Sequence, residues 1–154
     1  MNTRIRVLVV PAVVVAIAFG ASAGGYGDDV RVPFETIMQG QQAGRTEAGN
    51  LVVDSPADLE RVWRQIQVRD DDYGEPPELS FSEETVIVLF MGRRNTGGYT
   101  IEVEEVRAEP DRVTVYYREY SPAPGDVVAQ VLTSPFHVVR IPRLGRPIRF
   151  SRRR

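Results

Sequence analysis

The pattern of apolar and polar residues divides the chain into several strand-like pieces and a single helical stretch. Residues 34–39 and 51–53 read as strands, separated by the polar stretch 40–49. Asp54-Ser55-Pro56 then opens a helix. Ser55 suits the N-cap because its hydroxyl can accept the first free N–H groups, and Pro56 suits the first helical position. Leu59, Val62, Trp63 and Ile66 recur at helical spacing and form one apolar stripe, opposite Glu60, Arg61, Arg64 and Gln65. One stripe does not stabilise so short a helix by itself, so it must lie on a sheet, with Trp63 as its main anchor.

Residues 85–91 form a near-continuous apolar run, the pattern of a central strand buried on both faces. Tyr99, Ile101, Val103 and Val106 interleave with Thr100, Glu102 and Glu104, and Val113, Val115 and Tyr117 with Thr114, Tyr116 and Arg118. Both segments read as half-exposed strands. Residues 127–132 and 136–141 read as two further strand pieces, parted by Ser134-Pro135. Strand, strand, helix and then a run of strands predicts an α+β domain: mainly an antiparallel sheet meander with one amphipathic helix packed on it. No repeat or interdomain linker interrupts residues 34–150.

The N-terminus reads differently. Arg4 and Arg6 precede a charge-free apolar run over residues 7–19, and Ala21-Ser22-Ala23 supplies small residues at a cleavage position. Residues 1–23 are therefore expected to be a signal peptide, the run being shorter than the ~20 residues of a membrane-spanning helix. Residues 24–33 are expected to form a flexible leader. The chain has no cysteine, which excludes disulfides, thiolate metal sites, cysteine nucleophiles and lipid attachment at cysteine. An exported, periplasmic or extracellular protein without a stable membrane anchor after cleavage is expected.

All 19 basic residues are arginine, set against 21 acids. Seven arginines crowd residues 140–154, where there is no acid, so the preceding body is strongly acidic. An acidic body argues against nucleic acid as a partner. Residues 151–154 are expected to be a frayed, solvated basic tail.

Catalytic chemistry is sparse. His137 is the one histidine, and it sits in an apolar strand segment without a nucleophile motif. A satisfied structural histidine is the simpler reading, and no catalytic, cofactor or metal site is expected. Asp70, Asp71, Asp72 and Glu75 lack the spacing of a calcium loop, and Glu102 and Glu104 read as a solvated strand face. Arg93, Arg94, Asn95, Thr96, Gly97, Gly98 and Tyr99 ask for more. Glycine lets a backbone approach a neighbour closely, while tyrosine and arginine favour binding surfaces. This loop is the candidate binding site, with Gln130, Thr133 and Ser134 beside it; a tight hairpin is the plainer alternative. Gly97 and Gly98 are expected to be the conformationally demanding positions.

Gly92-Arg93-Arg94-Asn95-Thr96-Gly97-Gly98-Tyr99, then Pro122-x-Pro-Gly125, Gln130-x-x-Thr133-Ser134-Pro135 and Ile141-Pro142, resemble the C-terminal domain of the protease complex subunit PrcB family. The likeness covers residues 86–142. It implies a non-enzymatic accessory domain whose partner is another exported protein, a protease being the class indicated. Asn95-Thr96-Gly97-Gly98-Tyr99 also resembles the Asn-Pro-Thr-Thr-Gly-Tyr loop of chagasin-type cysteine protease inhibitors, without its proline. That likeness implies a loop-presenting protease inhibitor as the alternative.

Overall fold

The computed structural model describes residues 29–68 and 73–154. The expected signal peptide, residues 24–28 of the expected leader, and Asp70, Asp71 and Asp72 lie outside the described residues. The elements are β1 (Val30–Val32), β2 (Glu35–Gly40), β3 (Gly49–Val53), α1 (Pro56–Ile66), β4 (Glu84–Phe90), β5 (Thr100–Ala108), β6 (Val113–Tyr120), β7 (Phe136–Pro142) and β8 (Ile148–Arg153). They build two four-stranded sheets, ordered β1-β5-β6-β8 and β2-β7-β4-β3. Every pair is antiparallel except β6 with β8, which is parallel. The α+β class holds, but the strands do not follow one meander. β4 and β5, consecutive in the chain, belong to different sheets.

β4 shows why its sequence is apolar throughout. Ile87, Leu89 and Met91 enter the core between the sheets, joined there by Val106, Val115 and Val139. Val86, Val88 and Phe90 face the other way, into a second core with Leu59, Val62, Trp63 and Ile66 of α1. The second sheet is thus the middle layer, apolar on both faces. The helix starts as expected: Ser55 Oγ accepts the Asp58 N–H at 3.2 Å, and Pro56 occupies the first turn.

β5 explains the break in its alternation. A bulge between Val103 and Glu105 shifts the register against β6. The extra residue lets Val103 and Val106 both point into the core, three positions apart.

Three expectations need correction. The leader does not extend to residue 33, because β1 pairs Val30–Val32 with β5 and Val32 is buried. Three residues are too few to show an alternation. The basic tail is not frayed: residues 151–153 belong to β8, and Ile148 and Phe150 pack on the inter-sheet core. Arg153 pairs with Glu105 and lies 4.6 Å from the Tyr116 ring centroid. With Arg107, it holds the Glu105 carboxyl below its ordinary range. Finally, residues 127–132 form no strand. Val127, Val131 and Leu132 are exposed, since no sheet surface lies opposite to bury them.

Candidate functional site

The β4–β5 connection is not a hairpin. It carries the chain from one sheet to the other, and its backbone is tied to residues 129–135. The Met91 N–H donates to the Pro135 carbonyl at 2.9 Å. Arg94 and Thr133 exchange N–H···O=C bonds of 2.8 and 3.0 Å, and the Gly97 N–H reaches the Ala129 carbonyl at 2.9 Å. Thr133 adds its hydroxyl, which donates to the Thr96 carbonyl at 2.8 Å. Behind them, Ser134 is fixed by backbone bonds to Gln41 and Ala43. Loop and counter-segment therefore form one rigid end of the sandwich.

The demanding glycines are Gly92 and Gly98. They have φ of 78° and 84°, a region costly for a side chain, and a Cβ on Gly92 would stand 2.8 Å from the Ala48 nitrogen. At Gly97 a Cβ would meet Ala129 at 3.6 Å, an ordinary contact, which corrects the expectation for that position. Gly92→Val and Gly98→Val should each cost more than about 2 kcal/mol, and Gly97→Ala less than about 1. Urea unfolding of the three variants checks this; equal losses at Gly97 and Gly92 would contradict it.

The side chains sort into two groups. Thr133 and Ser134 are buried and tie the loop to its counter-segment, whereas Arg93, Asn95, Gly98 and Gln130 are exposed. Arg94 lies 5.6 Å from the Tyr99 ring centroid, and its Nη2 is 3.8 Å from Glu119 Oε2. Arg152 Nη1 approaches the same carboxylate oxygen to 3.1 Å. Two guanidinium groups thus share one carboxylate, and Arg93 has no ion pair among the described residues. The C-terminal arginines and the loop arginines, read as separate features, meet at one end of the fold. Sequence reasoning missed the apolar members of that end, Val127, Val131 and Leu132. Their flanking Pro122, Pro124 and Gly125 were the available signal that no ladder forms there.

His137 occupies a different place. It is 3 % exposed and bridges the sheets. The Val103 N–H, beside the bulge, donates to Nδ1 at 2.9 Å, and Thr36 Oγ1 lies 2.9 Å from Nε2. An N–H can only donate, so in the neutral ring Nδ1 is the acceptor and Nε2 carries the proton, donating it to Thr36. In that tautomer His137 cannot take a proton from the Thr36 hydroxyl. Burial pushes its pKa down to about 4, partly opposed by the charge of Glu102. Glu102 and Glu104 stand on the outer face of their sheet but are half-buried there rather than solvated. Tyr120 donates its hydroxyl to Glu104 at 3.1 Å, and Glu104 faces Arg118 and Arg153.

The two tied segments, together with the strands that carry them, make up the part of the chain that compares with known proteins. Residues 85–142 match the family model PrcB C-terminal. No curated protein and no solved structure matches the chain. The PrcB C-terminal match runs from β4 through β7, so it contains the crossover loop, its counter-segment and His137. It leaves β1, β2, β3, α1 and β8 outside.

Proposed function

We propose that this chain is an exported, non-enzymatic accessory domain that binds and supports a protease. Its contact surface is the rigid sandwich end presenting Arg93, Asn95, Gln130, Val131 and Leu132. The observation that carries this reading is the position of that end inside the PrcB C-terminal match: its loop is hydrogen-bonded to Ala129, Thr133 and Pro135 while apolar and arginine side chains stay exposed. Preorganised apolar anchors rimmed by arginine are the usual makings of a binding hot spot. The inhibitor alternative has less support. Residues 94–97 commit their backbone groups to Ala129 and Thr133, so they are held back from another protein's cleft.

Co-purification from the exported fraction with this chain as bait, read by mass spectrometry, tests the proposal. A protease should be captured. Arg93→Ala and Leu132→Ala should each weaken capture by about 1 kcal/mol or more, with melting unchanged. The captured protease should survive longer without cleaving peptides more slowly. Slowed cleavage at stoichiometric concentration would favour the inhibitor, and capture indifferent to both substitutions would remove this surface.

A further inference from the structure

The first sheet ends on β8, whose outer edge has no strand beside it among the described residues. Its register to β6 runs from Val113↔Ile148 to Arg118↔Arg153 without a shift. The other edges are less regular or shorter: β2 is bulged, β1 has 3 residues and β3 has 5. The Val113 N–H donates to the Pro147 carbonyl at 2.8 Å, which fixes the phase of the parallel ladder. Alternate residues of such a strand turn both backbone groups to the same side. Arg149, Ser151 and Arg153 therefore bond to β6. The N–H and C=O groups of Ile148, Phe150 and Arg152 face outward, with no backbone partner among the described residues.

An open edge invites an extended chain, and its side chains decide which one. Arg149 and Arg154 are exposed and have no ion pair among the described residues. Arg152 has only a share in Glu119. A second copy of β8 would set arginine against arginine, and like charges across a ladder repel. An apolar strand would give the guanidinium groups no counter-charge. An acidic strand satisfies both the backbone and the charge.

We propose that β8 accepts an extended acidic segment of a partner protein as a fifth strand. The segment's backbone pairs with Ile148, Phe150 and Arg152, its carboxylates meet Arg149 on the outer face, and its alternate apolar residues lie beside Ile148 and Phe150. This edge is not the surface assigned above, and the proposal stands without that assignment.

The test titrates the purified chain with three fluorescent peptides: an alternating Glu-Val peptide, its Lys-Val counterpart, and an acidic peptide of equal charge interrupted by prolines. The Glu-Val peptide should bind roughly tenfold tighter than either control. Arg149→Glu should weaken it by a similar factor with unchanged melting, whereas Arg93→Ala should not affect it. Hydrogen exchange at the Ile148, Phe150 and Arg152 amides should slow on binding. Equal affinity for the proline-interrupted peptide would reduce the edge to a solvated basic patch and overturn the proposal. So would no binding of the Glu-Val peptide, or exchange at those amides left unchanged. The peptide comparison on the unsubstituted chain decides even if the Arg149 variant fails to fold.

Discussion

Trp63→Ala should destabilise the domain by about 3–5 kcal/mol, a large share of the 5–15 kcal/mol typical of a small domain. Trp63 is 4 % exposed and stands in the second core with Val62, Ile66, Phe90 and Phe136. Truncation removes most of that contact and leaves a cavity beside a middle sheet that is packed on both faces and has little room to relax. The indole also ties the helix to the chain beyond it, since its N–H donates to the Gly74 carbonyl at 2.8 Å. That carbonyl has a second donor, Gln67 Nε2 at 2.9 Å, so the substitution does not orphan it. The loss is therefore mainly one of packing, and Trp63→Phe should recover more than half of it. Urea unfolding gives both numbers. A transition midpoint unchanged in Trp63→Ala would mean that α1 is peripheral to the fold.

Acid should weaken the domain before its carboxylates begin to protonate. The His137 pKa lies at about 4 in the fold against 6.5 in the open chain, so the unfolded state takes up the proton first. Its contribution is complete above pH 6.5 and declines as pH falls toward 4. The slope approaches 1.4 kcal/mol per pH unit, giving a loss on the order of 2 kcal/mol between pH 6.5 and 5. Protonation would also cancel the Val103 bond, because a charged ring has no acceptor at Nδ1. In His137→Phe the decline over that interval should vanish. Stability at pH 7 should then be lower, because the Val103 N–H is left buried without a partner. Denaturant midpoints at pH 7, 6 and 5 for both proteins decide it, and parallel pH profiles would remove His137 as the cause.

The elements legible in the sequence are those whose period survives packing. α1 carries its cap and stripe in plain view, and β4 declares its double burial by the unbroken apolar stretch from Val86 to Met91. β5 was legible despite its bulge because Ile101 and Val103 set the alternation before it. Two kinds of information were not. Alternation says which side chains share a face but not which strand lies alongside, so the assignment of β4 and β5 to different sheets was hidden. Composition also masked geometry in both directions. In residues 148–153 the arginines drew attention from the Ile148/Phe150 alternation, and in residues 127–132 valine and leucine suggested a strand where no sheet strand lies alongside among the described residues. At the candidate site, the glycines, Tyr99 and both arginines were visible. Their tie to residues 129–135 depends on contacts distant in sequence, and so does the convergence of Arg94 and Arg152 on Glu119.

The parallel pairing of β6 with β8 bears on how the molecule is made. A ribosome delivers β6 well before residues 148–153, and until they emerge β6 has only one neighbour. During that interval Val113–Tyr120, a stretch rich in β-branched and aromatic residues, stands as an unguarded border with its N–H and C=O groups bare. At that stage Glu119 has Arg94 at 3.8 Å, Glu104 has Arg118 and Glu105 has Arg107. β8 then brings Arg152 and Arg153 to the same carboxylates, so the strand that closes the border also completes their charge balance.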